Sequence, residues 1–89
     1  MFKLFKSVDE KLADIGFKKV QDTPVRVEYI RSNKNEFVQL LEIYADELGC
    51  PVVKSTTRNG ALAVSLTKYE LQLIIKKMDE KNLDYSVYR

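Results

Sequence analysis

The same four-residue signature stands near both ends of the chain: Ser7-Val8-Asp9-Glu10 and Thr67-Lys68-Tyr69-Glu70. Each is a hydroxyl residue followed three positions later by glutamate. At a helix start the hydroxyl accepts a hydrogen bond from the third helical amide, and the glutamate reaches back to the amide of the capping residue. Both ends are therefore assigned to helices, and the chain between them must supply whatever the helices pack against. With 89 residues there is room for one core, so residues 1–89 read as a single domain.

The first helix is predicted over about residues 5 to 15, because Phe5, Val8, Leu12 and Ile15 recur at spacings of three and four and share a face. Asp9 and Glu10 put negative charge at its N-terminus, where the helix dipole favours it. Gly16 supplies a left-handed residue to stop it, and Phe17 is expected to fold back onto Leu12 in a Schellman ending. In the last helix Leu66 and Leu71 occupy the two positions of a hydrophobic staple. Leu71, Ile74, Ile75 and Met78 fall on the face expected to cover a sheet. Lys76, Lys77 and Lys81 suit the C-terminal half of the dipole, Asn82 is the expected stop, and Asp84 to Arg89 forms a tail.

Between the helices, Lys18 to Gln21 and Val25 to Arg31 read as strands joined at Asp22-Thr23-Pro24. Val25, Val27 and Tyr29 alternate with Arg26 and Glu28, which implies a sheet with one apolar and one wet face. Ser32 to Asn35 is a polar loop. The stretch from Glu36 to Leu48 admits two readings. Phe37, Leu40, Leu41, Tyr44 and Leu48 match a helix, whereas Val38, Leu40 and Tyr44 alternating with Phe37, Leu41 and Ile43 match a strand that turns at Asp46 to Gly49 into Pro51-Val52-Val53. Asn59-Gly60 is a hairpin signal, and Leu62, Val64 and Leu66 read as a returning strand. The expected class is α+β: an N-terminal helix, an antiparallel sheet of four to five strands, and a C-terminal helix packed on that sheet.

Composition narrows the chemistry. The chain has no histidine and one cysteine, Cys50. A Ser-His-Asp or Cys-His site cannot be assembled from it, nor can an internal disulfide or a structural zinc site of the usual spacing. The adjacent carboxylates Asp46-Glu47 and Asp79-Glu80 point to different faces and do not converge on a metal or a substrate atom. Cys50 reads as a small buried hydrophobe, with no histidine to activate it. No catalytic, metal or cofactor site is expected, and the chain reads as a non-enzyme. Fifteen Lys and Arg against thirteen Asp and Glu leave a net charge of +2 with interspersed signs. No apolar run is long enough to cross a bilayer, and Met1 to Lys6 lacks a signal peptide's apolar stretch, so no membrane partner and a cytoplasmic location are expected.

Asp9-Glu10-Lys11-Leu12, Ile15-Gly16-Phe17-Lys18-Lys19-Val20 and Leu66-Thr67-Lys68-Tyr69-Glu70-Leu71 occur in an order that resembles small uncharacterised proteins of phages and mobile elements of Gram-positive bacteria. The resemblance spans most of the chain. It implies an antiparallel sheet through the middle, favours the strand reading of Glu36 to Ala45, and implies no activity. Two binding readings remain. The first is a protein-interaction module, a homodimer or a binder of another protein, with Val38, Leu40 and Tyr44 as the association surface, because this strand carries apolar residues on both faces. The second is single-stranded nucleic-acid binding, with Arg26, Arg31, Lys54 and Arg58 following phosphates and Tyr29 available for stacking. Against it, Tyr29 shares a face with Val25 and Val27, and Glu28 and Glu42 dilute the positive charge.

Overall fold

The structure is a computed structural model that describes residues 6–32 and 38–81. Its elements run α1 (Val8–Asp14), β1 (Lys18–Thr23), β2 (Arg26–Ser32), β3 (Val38–Ala45), β4 (Pro51–Thr57) and α2 (Lys68–Glu80). Phe5, Phe37, Asn82, the polar loop after Ser32 and the 84–89 tail lie outside the described residues. The α+β class stands. The segment that admitted two readings is a strand, and four strands form one antiparallel sheet in the order β1-β2-β3-β4.

The chain-end signatures act as their chemistry requires. In α1 the Glu10 amide donates to Ser7 Oγ at 3.1 Å, and the Ser7 amide donates to Glu10 Oε1 at 2.8 Å. At the other end Gly16, at φ 99°, donates to the Ala13 carbonyl, and the Phe17 amide donates to the Leu12 carbonyl at 2.9 Å. Those two bonds are a Schellman ending, and they deliver Phe17 into the core. The turn from β3 to β4 also falls where expected. Asp46 Oδ1 accepts from the amides of Leu48 and Cys50, while Gly49 takes a positive φ of 84°.

Strand register sorts every side chain to one of two faces. On the inner face Val27, Ile43 and Val53 form one cross-strand row, Tyr29, Leu41 and Ser55 the next, and Arg31, Gln39 and Thr57 the third, with the β3 residue in the middle of each. Val8 and Leu12 of α1, Phe17, and Leu73 and Ile74 of α2 join Val27, Tyr29, Leu41 and Ile43 in one buried cluster. Both helices therefore lie on the same side of the sheet, in a two-layer arrangement.

Two expectations are corrected. The segment after Asn59-Gly60 does not form a returning strand through Leu62, Val64 and Leu66. Gly60 closes a turn by donating to the Thr57 carbonyl, and only Ala63 bridges back, to Thr56. The chain must leave β4 at once to reach the Thr67 cap, so the hairpin is cut to a single rung. The second correction concerns α2. Its buried face is Glu70, Leu73, Ile74 and Lys77, whereas Leu71 is 44 % and Ile75 57 % exposed. Relative to the apolar stripe the helix is turned by one residue, about 100°. The cause is polar: Glu70 and Lys77, seven residues apart and on one face, both have partners beneath the helix.

At one end of that face Glu70 Oε1 accepts from the Thr67 amide while its other oxygen pairs with the Arg31 guanidinium at 2.9 Å. Arg31 also donates to the Ile15 carbonyl and, through two nitrogens, to Gln39 Oε1, and it stacks over the Phe17 ring at 4.1 Å. Gln39, only 2 % exposed, passes the chain on by donating to Ser55 Oγ. One guanidinium thus joins both helices to two strands.

Replacing Arg31 with Met leaves the buried Glu70 carboxylate without its cation, and the urea unfolding free energy should fall by about 3 kcal/mol. An unchanged unfolding midpoint would contradict the central role given to this side chain. Gly16→Ala tests the helix ending: a Cβ there would lie 3.1 Å from Arg31 Cδ at a positive φ. A loss of about 1 kcal/mol or more is expected by thermal unfolding.

Candidate interaction surface

The opposite, outer face of the sheet follows from the same register. Thr23, Arg26, Tyr44 and Val52 form one row, Gln21, Glu28, Glu42 and Lys54 the next, and Lys18, Ile30, Leu40 and Thr56 the third, with Ser32 opposite Val38 beyond. The apolar side chains Tyr44 and Val52 stand toward one end and Ile30, Leu40 and Val38 toward the other, beside Arg26 and Lys18, with the Glu28-Glu42-Lys54 row across the middle. Among the described residues no helix lies on it. Val38, Leu40 and Tyr44, chosen from the sequence as an association surface, all fall here on one strand, because even spacing keeps them on one side.

The charged row has an electrostatic problem and a local remedy. Glu28 and Glu42 are direct cross-strand partners, an arrangement that costs free energy when uncompensated. Arg26 donates from Nε to Glu28 at 2.6 Å and from its terminal nitrogen to Glu42, and it lies 4.4 Å over the Tyr44 ring. The guanidinium bridges both carboxylates and lies over the Tyr44 ring, and with Lys54 in the same row two cations balance the two glutamates.

The four cations picked out for nucleic acid do not converge. Arg26 is committed to its two glutamates, and Arg31 is on the inner face under α2 with Glu70. Lys54 shares the outer face with Arg26 but stands in register with Glu42, and Arg58 is exposed in the turn after β4. Tyr29 belongs to the core and donates to Asp9 Oδ1 at 2.5 Å.

Asp9 anchors a second polar cluster on the inner side, which the sequence offered only as a helix-dipole charge. Besides Tyr29 it receives Lys19 of β1 at 2.8 Å and Lys77 of α2 at 3.1 Å, while Lys77 also reaches Glu80. Lys81 extends the cluster to Asp22 at 2.5 Å and to the Thr23 carbonyl. Burial by itself would raise the Asp9 carboxyl, but hydrogen bonds from Lys19, Tyr29 and Lys77 outweigh it and bring it down to about 2. Burial and the neighbouring carboxylate push the Tyr29 hydroxyl up, so it remains a donor. These groups pair with one another between packed elements, and they clamp the layers together. Among the described residues no group of three or more acidic or cysteine side chains is arranged to hold a metal ion. Among the same residues no helix is long and apolar enough to cross a membrane. Cys50, half-buried at the entry to β4, follows the Asp46 turn.

Fold and surface together define a two-layer α+β protein, with both helices on one face of a four-stranded antiparallel sheet. No family model, curated protein or solved structure matches the chain.

The Asp9 cluster sets an acid dependence. Its carboxyl ionises at about 2 when folded, against 3.8 ordinarily, so the stabilisation is complete above about pH 4 and fades as the pH falls toward 2. At a partly exposed carboxyl this amounts to about 1–2 kcal/mol after screening. Asp9→Asn should lose that amount at neutral pH and converge with the wild type near pH 2. Parallel pH–stability curves for the two proteins would show that Asp9 contributes no such linkage.

Proposed function

We propose that the chain is a small non-enzymatic interaction module that associates through the outer face of its sheet, in the first instance with a second copy of itself. The observation that carries this reading is the placement of both helices on the inner face. Ile30, Val38, Leu40, Tyr44 and Val52 are left on a sheet face that no helix covers among the described residues. The sheet edges are less suited to the task. Edge strand β1 carries Lys18 and Lys19 and is broken by a bulge between Lys19 and Gln21, and β4 is bonded along its far side by residues 62 to 64.

The size of the face sets the affinity to look for. Four strands about 4.8 Å apart and roughly 23 Å long present a plane of about 440 Å². Two such planes bury roughly 900 Å² plus the relief of their side chains, at the low end of the interfaces that hold specific complexes. A weak, concentration-dependent dimer is the expected form. A role as a cytoplasmic accessory protein of a phage or mobile element, the setting implied by the sequence resemblance, would suit such a module. Nucleic-acid binding has less support, since Arg31 is beneath α2 and Arg26 is already neutralised.

Sedimentation equilibrium over roughly 5 to 500 µM should show an average mass rising above the 10.3 kDa of one chain, in the range of a micromolar dissociation constant. Leu40→Glu should keep the mass at that of one chain while the protein stays folded by circular dichroism. A wild-type chain that is monomeric throughout would end the self-association reading. Salt-sensitive retention of single-stranded oligonucleotides, lost on Lys54→Glu, would favour nucleic acid in its place.

A further inference from the structure

The rotation of α2 leaves a second unpaired feature on the other side of the molecule. Where α1 passes α2 an open groove of about 450 Å³ is lined by Lys11 of α1 and by Tyr69, Gln72, Leu73, Ile75 and Lys76 of α2. Tyr69, Gln72, Leu73 and Lys76 repeat at i, i+3, i+4 and i+7, so the groove follows the helix axis for two turns. Its base is the buried Leu73. Tyr69 and Ile75 are exposed on its walls, at 49 % and 57 %.

The charge of the groove is one-sided. Two of its six lining residues are lysines and none is acidic. Most other inward-facing cations of the chain are committed: Lys19, Arg31, Lys77 and Lys81 each have a carboxylate within 3.1 Å. Lys11 and Lys76 have no carboxylate within 4.0 Å among the described residues, and Lys68, one residue before Tyr69, has none either. Of the acidic residues nearest the groove along the two helices, Glu70 is turned inward onto Arg31, Glu10 caps α1 and Asp14 is paired with Lys6, while Asp79, one turn beyond Ile75, reduces this positive field.

We infer that this groove is a docking site for an amphipathic helix of another protein, one that presents large apolar residues at helical spacing and flanks them with Asp or Glu. The apolar residues would enter between Tyr69, Leu73 and Ile75, and the acidic flanks would meet Lys11 and Lys76. A lining that runs along two turns of α2 suits a helix laid beside it, and the lysines give it a charge preference that apolar contact alone would lack. The surface is separate from the outer sheet face, so its occupancy does not depend on whether the chain dimerises.

The test uses two peptides of about 16 residues, each with leucines at i, i+4, i+7 and i+11, one with glutamate and the other with lysine at the flanking positions. Titrated into the isotopically labelled full chain, the glutamate peptide should shift the amide resonances of Lys11, Tyr69, Gln72, Ile75 and Lys76 and leave Lys54 in place. It should bind at least about tenfold more tightly than the lysine peptide. In the double variant Lys11→Glu/Lys76→Glu, at positions that bear no ion pair among the described residues, the preference should reverse. Equal binding of the two peptides, or no groove shifts up to about 1 mM, would overturn the inference. So would adsorption to phosphatidylserine vesicles without any groove shifts from either peptide, which would assign the exposed stripe to a membrane surface. Self-association abolished by Ile75→Glu and untouched by Leu40→Glu would assign the groove to a second copy, and would also overturn it.

Discussion

The Arg31 guanidinium is the contact on which the arrangement of the two layers turns. It sits on the inner face of the sheet where an apolar side chain would be the simpler choice, and it reaches the Ile15 carbonyl, Gln39 and Glu70 while stacking on Phe17. Taking an arginine and a glutamate largely out of water is costly, and the pair is favourable only because nearly every donor and acceptor has a partner. A guanidinium fork that meets a carbonyl, an amide oxygen and a carboxylate at once restricts how α1, α2, β2 and β3 can sit around it. Glu70 adds a further coupling, because the carboxylate that receives Arg31 also caps α2. The start of that helix and its docking on the sheet are one event.

The Asp9 cluster does for the far end of the interface what Arg31 does for the near one. Lys77 of α2, Lys19 of β1 and the Tyr29 hydroxyl gather on Asp9 of α1, and Lys19 links them through Asp22 to Lys81, just past the end of α2. Between the two clusters lies the dry centre of Leu12, Leu41, Ile43, Leu73 and Ile74. The apolar centre supplies most of the driving force, as burial of such side chains generally does, and the polar ends decide the orientation. Because α2 must turn Glu70 and Lys77 inward, some of its apolar residues are carried outward. The exposed Leu71 and Ile75 are a consequence of that choice.

The parts of this structure that the sequence announces are those governed by neighbours along the chain. Both capping boxes, the Gly16-Phe17 ending and the Asp46 to Gly49 turn are set by residues within five positions of one another, and each stands where its signature placed it. So is the alternation in β2, which sent Val27 and Tyr29 to the core, although Val25, expected on the same face, precedes the strand and is exposed. What periodicity misjudged was set by distant partners. The stripe of Leu71, Ile74, Ile75 and Met78 is the stronger apolar pattern in α2, yet the helix obeys Glu70 and Lys77, whose partners Arg31 and Asp9 are far away in sequence. A signal was present, since the two charges are seven residues apart on one face, but it could not be read without knowing what lay beneath. The same limit explains the four candidate cations. Arg26 and Arg31 are five residues apart, an odd interval in a strand, so they had to face opposite sides. The stripe of Val38, Leu40 and Tyr44 had even intervals and stayed together.

The guarded sheet edges have a consequence for how large an assembly of this chain can become. Strand-to-strand pairing at an edge is head-to-tail in character: each added copy offers a fresh edge, and growth stops only when material runs out. Here the bulge and lysines of β1 and the returning rung beside β4 interrupt that template at both margins. Contact through a face has the opposite arithmetic. When the same surface of two copies meets across a two-fold axis, each consumes the other's, and nothing equivalent is left for a third. Association of this chain through its outer face, as proposed, would therefore stop at a finite count and leave no template for the fibre that an exposed sheet edge can seed.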